Sequence, residues 1–209
     1  MSKKALIIPK DESKIDTVLK YLEDGALIII PTDNVYGFMG NGNIPEVIDR
    51  IYKLKDRDRS KPLCYYTTPK DAPIWGQIDS NSEEIISLWP APISIIVPKH
   101  KCVPDYVTSG MDSVLLVCID QYTKELAQRA SFPIVATSAN LAGEPPITDF
   151  DAAYQQFDGF VDVILKGEPS KRAMSSTIVN MTFCPPVVQR VGPYGIEDVR
   201  KIVPEAVLP

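Results

Sequence analysis

Histidine is almost missing from this chain: His100 is the only one among 209 residues. A zinc centre built on imidazoles, or a Ser-His-Asp hydrolase, would have to rest on that one side chain. It follows Val97-Pro98-Lys99, just past a strand-like run, where a solvated loop histidine is the ordinary outcome. The four cysteines, Cys64, Cys102, Cys118 and Cys184, are scattered with no Cys-x-x-Cys pair, so they read as structural or free thiols in a reducing compartment. No apolar run approaches the roughly 20 residues of a membrane span, and the apolar patch near Met1 is too short for a signal peptide. A cytoplasmic protein with no membrane partner and no metal centre of its own is expected. Two common nucleotide fingerprints are absent as well: there is no Gly-x-x-x-x-Gly-Lys-Ser/Thr, and no Gly-x-Gly-x-x-Gly follows a strand. Excess positive charge is also lacking. With 22 basic and 27 acidic residues the chain carries −5, which argues against binding nucleic acid through overall charge.

What is present is an ordered globular composition, 44% apolar and 23% charged. No internal repeat, low-complexity segment or linker divides it, so one domain over residues 1–209 is expected. The run Ala26–Gly37 is the most telling stretch. It begins as β-branched apolar residues suited to a strand covered on both faces, and at Pro31 it turns into small polar side chains. Open α/β sheets place ligands just beyond such strand ends, although a plain Pro-Asp-Asn turn fits the same residues. Before it, Leu6-Ile7-Ile8 is a short strand. Asp11–Asp24 follows as an amphipathic helix with Ile15, Val18, Leu19 and Leu22 on one face and Gly25 at its left-handed cap. After it, Gly40–Asn43 reads as a flexible loop, and Pro45 opens a second helix with Val47, Ile48, Ile51 and Leu54 inward.

That helix runs into a basic stretch. Five of the chain's basic residues, Lys53, Lys55, Arg57, Arg59 and Lys61, fall within nine positions. On an acidic protein this suggests an anion site, while the intervening Asp56 and Asp58 equally suit a solvated, self-paired surface. Further strands are expected at 63–66, 93–97, 114–119, 134–136, 161–165, 178–180 and 187–191. Helices are expected at Asn81–Trp89 (with Ser82 as cap), Thr123–Ala130, from Thr148-Asp149 to Phe157, and Ile196–Val203, with loop at 103–110. Strands outnumber helices, and several connections are too short for helical crossovers, which points to a mixed sheet with helices on its faces. Several of its strand ends carry small polar or basic groups.

Taken in order, these segments resemble the YrdC-like family of L-threonylcarbamoyladenylate synthases. Pro31-Thr32-Asp33-Asn34-Val35-Tyr36-Gly37 resembles the family's Pro-Thr-Asp/Glu-Thr-Val-Tyr-Gly. Lys55-x-Arg57 with Lys61-Pro62-Leu63 resembles its Lys-x-Arg-Pro and Lys-Pro-Leu. Leu88–Ser94 is similar to its Trp-Pro-Gly-Pro-Leu-Thr, and Thr137–Gly143 to its Thr-Ser-Ala-Asn-x-Ser-Gly. Ser176-Thr177-Ile178-Val179 and Arg190-Val191-Gly192 complete the set, which spans nearly the whole chain. The resemblance implies an α/β fold, a twisted open mixed sheet with a basic cavity, in the family's minimal form. It also implies a reaction in which L-threonine or a related amino acid, bicarbonate and ATP with Mg²⁺ give a carbamoyl adenylate and pyrophosphate. That product serves threonylcarbamoyladenosine formation in tRNA, which extends the partners to tRNA or a downstream transferase complex. Lys55, Arg57 and Lys61 are the expected catalytic cations. ATP is expected on these three together with Ser138, Asn140, Ser176 and Arg190. Thr32, Asn34, Tyr36 and Thr177 are expected at the amino-acid and bicarbonate end.

Four positions depart from the pattern. Asn34 replaces a usual Thr, Asp58 a Pro, and Ala91 a Gly, where a close backbone approach is expected. Cys118 stands where the family's Val-Arg-x-Pro places an arginine, removing a bidentate donor for a carboxylate. Two outcomes are open. The chain uses another carbamate or only binds a nucleotide or RNA, or else a nearby cation such as Arg59 replaces the missing one.

Overall fold

The computed structural model describes residues 4–209. The apolar runs become ten strands: β1 (Leu6–Pro9), β2 (Ile28–Pro31), β3 (Tyr36–Asn41), β4 (Cys64–Tyr66), β5 (Ile93–Pro98), β6 (Ser113–Val117), β7 (Ile134–Ser138), β8 (Val163–Lys166), β9 (Thr177–Asn180) and β10 (Val187–Arg190). They form one sheet in the order β1-β8-β2-β3-β7-β4-β6-β5-β9-β10. Parallel pairs (β1 with β8, β2 with β8, β4 with β6, β5 with β9) occur beside antiparallel ones, so the sheet is mixed. It is open, with β1 and β10 at its edges. The connecting helices are α1 (Ile15–Glu23), α2 (Pro45–Lys55), α3 (Ala72–Trp75), α4 (Ser80–Ile86), α5 (Asp105–Thr108), α6 (Gln121–Arg129), α7 (Phe150–Phe157) and α8 (Ile196–Arg200). No helix among the described residues is long and apolar enough to cross a membrane.

Strand side chains alternate between two faces, and the faces are covered differently. On one, Leu27, Ile29, Tyr36, Phe38, Tyr65, Leu116 and Val135 pack against α2, α4, α7 and α8 through Ile48, Ile51, Ile85, Phe157 and Val199. On the other, α1 and α6 bring Ile15, Val18, Leu22, Tyr122 and Leu126 onto Ile28, Ile30, Met39, Ala136, Val163 and Leu165. These two helices leave part of that face uncovered. Ile96, Leu115, Val117 and Ile178 there line an open cavity instead.

Several expected boundaries move. Gly40 and Asn41 belong to β3, not to a flexible loop, and pair with Val135 and Ile134 of β7. The glycine serves close approach: a Cβ on Gly40 would stand 2.3 Å from Cγ1 of Val47, so α2 can lie against the strand only without one. The cap of α4 is Asp79, whose carboxylate accepts from the Ser82 amide, and Ser82 lies inside the helix. Asp120 caps α6 in the same way through Thr123, starting it earlier than expected. The segment 103–110, expected as loop, contains α5.

Candidate active site

The uncovered part of the second face forms a cavity of about 480 Å³. Three cationic side chains line it, Arg57, Lys61 and Arg190, together with the small polar residues Thr32, Asn34, Thr137, Ser138, Ser175 and Ser176. No Asp or Glu is among the lining residues, so the local charge is positive although the chain is acidic overall. One wall is apolar: Leu115 and Val117 of β6, with Ile119 just beyond it.

The cations reach the cavity because of how α2 ends. Asp56 adopts the left-handed region at φ 47°, and the amides of Asp56 and Arg57 donate back to Lys53 and Tyr52. This stops the helix abruptly and sends Lys55, its last residue, and Arg57, just beyond it, in different directions. Arg57 swings to the cavity, where Nε and Nη2 donate to the carbonyls of Lys61 and Pro62 and Nη1 approaches Oγ1 of Thr137 at 3.4 Å. Lys55 does not line the cavity. It is 1% exposed, and its Nζ donates to Ser138 O (2.6 Å), Asn140 O (2.7 Å) and Asn140 Oδ1 (3.1 Å). Burial, then the neighbouring Arg57, pushes its ammonium down to about 7. Lys55, expected among the ligand-binding cations, stands behind the lining, with its three N–H groups taken up in holding the turn after β7.

Asn140, expected with ATP, is held in the same turn. Its Oδ1 also accepts from Ser138 Oγ at 2.6 Å, and its Nδ2 donates to Leu141 O and Glu144 O, so the amide is spent within its own loop. Ser138 itself faces the cavity. Across from it, Ser176 Oγ lies 2.9 Å from the buried Ser94 Oγ, and Arg190 donates through Nε to Ser176 O and through Nη2 to Ser176 Oγ. Sequence reasoning missed Ser94, although it lies inside the Leu88–Ser94 motif. Thr177 is wholly buried, away from the cavity. Its Oγ1 accepts from the amides of Gly192 and Tyr194 and donates to Tyr194 O, pinning the Arg190–Gly192 turn to β9. A Cβ on Gly192 would come within 2.5 Å of Ser175 O and Thr177 N, so only glycine lets the two backbones meet. Around Arg190, burial and then the charge of Arg57 depress the guanidinium below the usual arginine range, a strain that a polyanion between them would relieve. Burial also pushes the Cys64 thiol up to about 11, leaving it an inert part of the lining.

At the far end, Thr32 closes its own turn: Oγ1 donates to Val35 O and accepts from the amides of Asn34 and Val35. Both Thr32 and Asn34 line the cavity. Tyr36 does not. Its ring is buried in the core of the opposite face, where desolvation raises its phenol to about 12. Tyr36 is expected at the amino-acid and bicarbonate end; period-two alternation turns Gly37 to the cavity and Tyr36 away from it.

The four departures also find places. Asp58 is exposed and accepts from the Ser60 amide in a local turn. The Ala91 methyl joins the core, and its amide donates to Cys118 O, so the extra carbon meets no obstacle. Cys118 is buried in that same core, and its thiol, pushed up to about 12 by desolvation, does not face the cavity. The residues of this strand that do are Ser113, Leu115 and Val117, followed by Ile119, and none of them carries a charge. Arg59 offers no replacement charge: it pairs with Asp49 at 2.6 Å and lies over the Tyr52 ring at the surface.

A protein-family model matches most of the chain. The Sua5/YciO/YrdC model, described as Telomere recombination, matches residues 20–192. The chain belongs to this family. Among its relatives, the threonylcarbamoyl-AMP synthase of Pyrococcus abyssi is 28% identical over 199 residues, which cover 93% of this chain and 58% of that protein. The threonylcarbamoyl-AMP synthase of Pseudoalteromonas atlantica is 32% identical over 154 residues, 70% of this chain and 81% of the relative. The crystal structure of P. abyssi Sua5 complexed with L-threonine superposes with a TM-score of 0.88 at 26% identity, covering 98% of this chain and 62% of that one. The chain thus spans a little under two thirds of the Pyrococcus protein, and the family fold is what the two share throughout.

Proposed function

We propose that this chain is a nucleotidyltransferase that adenylates an amino-acid carbamate: L-threonine, bicarbonate and ATP give threonylcarbamoyl-AMP and pyrophosphate. The observation that carries the reading is a cavity lined by Arg57, Lys61 and Arg190 with no carboxylate. Its family relatives named threonylcarbamoyl-AMP synthase, and the L-threonine complex of P. abyssi Sua5, support the choice of reaction. The adenylate would feed threonylcarbamoyladenosine formation in tRNA, handed on directly or through a downstream transferase complex.

The chemistry needs alignment and charge neutralisation and no enzyme nucleophile. A carbamate oxygen attacks the α-phosphorus of ATP, the bond from that phosphorus to the bridging oxygen breaks, and pyrophosphate leaves with its electron pair. Arg57, Lys61 and Arg190 hold the triphosphate, and Ser176 donates to its oxygens, joined by Ser138 once its hydroxyl turns from Asn140 Oδ1. Lys55 and Asn140 act through the turn that presents Ser138. Thr32 and Asn34 border the carbamate end, while Thr177 fixes the turn that carries Arg190. Mg²⁺ arrives with ATP as part of the substrate, since the lining offers it no carboxylate.

The apolar face of Leu115, Val117 and Ile119 favours a second reading, in which the acceptor is another carbamate or the protein binds a nucleotide or RNA without turnover. One experiment separates them. The protein is incubated with ATP, Mg²⁺, bicarbonate and each amino acid in turn, pyrophosphate is measured, and the adenylate is identified by mass. Bicarbonate-dependent release with threonine is expected. Release with a different amino acid supports the divergent enzyme, and tight ATP binding with no release for any acceptor supports the binding protein.

A further inference from the structure

Asn34 is 1% exposed, lines the cavity, and its Nδ2 has no hydrogen-bond partner among the described residues. Its Oδ1 faces Nη1 of Arg172 at 3.3 Å. A guanidinium can only donate, so the atom turned toward it must be the amide oxygen, and the N–H₂ group is turned away from it. Arg172 belongs to a strap, residues 170–175, laid across the Thr32–Asn34 turn. Ser170 Oγ donates to Thr32 O, the Arg172 amide to Asp33 O, and the Met174 amide to Asn34 O. Ala173, between the last two, holds a left-handed φ of 49°, which tucks the strap down onto the turn. The charges here are Lys171 and Arg172 against Asp33, a balance of +1, with Lys10 and Asp120 nearby offsetting one another.

An unpartnered donor sealed from solvent is unfavourable until an oxygen arrives on its open side. With a cation fixed behind it, an anionic oxygen is favoured over a neutral hydroxyl. We infer that Asn34 donates to the carboxylate of the amino-acid carbamate, and that Arg172 is a positioning residue that fixes the amide and supplies the charge absent from the β6 wall. This rests on the adenylation reading above and assigns the acceptor end of the same cavity. The strap residue lies outside every motif that marked the site in the sequence.

The test is steady-state pyrophosphate release by the full chain, varying threonine and ATP separately, with threonine amide as a probe lacking the carboxylate. Arg172→Met is exposed at the surface and leaves the strap's backbone bonds intact. It is expected to raise the threonine KM by about tenfold or more, the loss of one charge-assisted bond, with the ATP KM held within about twofold. Arg172→Lys should recover most of the loss. Asn34→Ala should match Arg172→Met, and the double variant should be no worse than Asn34→Ala alone. The wild type should discriminate against threonine amide, and Arg172→Met should lose that discrimination. An Arg172→Met enzyme with unchanged threonine KM, with equal losses for ATP and threonine, or with effects additive to those of Asn34→Ala overturns the inference alone. A wild-type protein that releases no pyrophosphate with any amino acid overturns the adenylation reading, and this inference falls with it.

Discussion

The two long walls of the cavity are built on opposite terms. On one, Arg57 and Arg190 are held by backbone carbonyls, at Lys61 and Pro62 and at Ser176, and Ser138 is presented by a turn knotted to Lys55. On the other, β6 contributes Leu115 and Val117, followed by Ile119, with the uncharged Ser113 as its one polar lining residue. The cationic wall depends on side chains that the fold orients through many polar bonds, whereas the apolar wall depends on strand parity alone. Anion recognition is therefore one-sided, and whatever charge the acceptor end needs has to come from the strap rather than from the sheet.

The sharpest way to break this comparison is to move one charge across β6 by a single residue. Cys118→Arg places an unpaired guanidinium in the closed core beside Leu116 and Ala91, and a loss of about 4 kcal/mol or more is expected, enough to abolish soluble folded protein. Val117→Arg sends the same group into the 480 Å³ cavity, where water and the carbonyl-rich wall can meet it, and a loss of about 1–2 kcal/mol is expected. Denaturant midpoints of the two variants measure the difference. Equal losses would mean that the cavity face of β6 had been assigned to the wrong parity.

This parity was the part of the site that a linear reading could not see. The motif match set Cys118 at the arginine position by counting along the chain, whereas strand alternation turns Cys118 into the core and Val117 toward the cavity. Tyr36 is turned into the core by the same alternation. Lys55 and Asn140 were found by their motifs, yet which of two basic residues at the end of α2 reaches the cavity was decided by the left-handed Asp56, and no spacing rule revealed that. What the sequence made plain was the class of each element. β-branched runs such as Ile28-Ile29-Ile30 can only be covered strands, and Gly25 at φ 83° ends α1 where a cap was expected. The β3 segment was hidden by its glycines, because Gly40 weakens strand propensity locally while making room for Val47. Arg172 carried no signal at all, since its role arises from a strap folding back over a turn 138 residues earlier.

A smaller effect separates a cation in the lining from one outside it. Arg57→Ala removes the guanidinium at the triphosphate end and is expected to lower kcat/KM for ATP by about 10²-fold, on the scale of losing one preorganised donor to a developing anion. Arg59→Ala, two residues on, removes only an exposed pair with Asp49 and should change kcat/KM by less than about twofold. Steady-state kinetics on both variants checks this. Comparable losses would mean that the stretch acts as a diffuse field rather than through one placed side chain.

The subtlest probe works beneath the cationic wall, at Lys55. Its folded value lies near 7, well below the 10.5 of the free side chain, because burial and Arg57 disfavour its charge. Between these two values the unfolded chain binds the proton and the folded one does not, so this residue's contribution to stability rises with pH across that window, by up to about 1.4 kcal/mol per unit. It is fully present above 10.5 and lost as pH falls through about 7. The turn should respond in the opposite sense. The ammonium has three N–H groups for Ser138 O, Asn140 O and Asn140 Oδ1, and the neutral amine has only two. Raising the pH through 7 should therefore loosen Ser138 and lower turnover while the fold gains stability relative to Lys55→Met, which cannot titrate. Denaturation and pyrophosphate release followed together from pH 6 to pH 9 should diverge in the wild type, and the stability difference from Lys55→Met should grow as pH rises. A difference that stays flat would mean that Lys55 keeps its proton throughout, and that the turn beneath the cationic wall is held by a permanent charge.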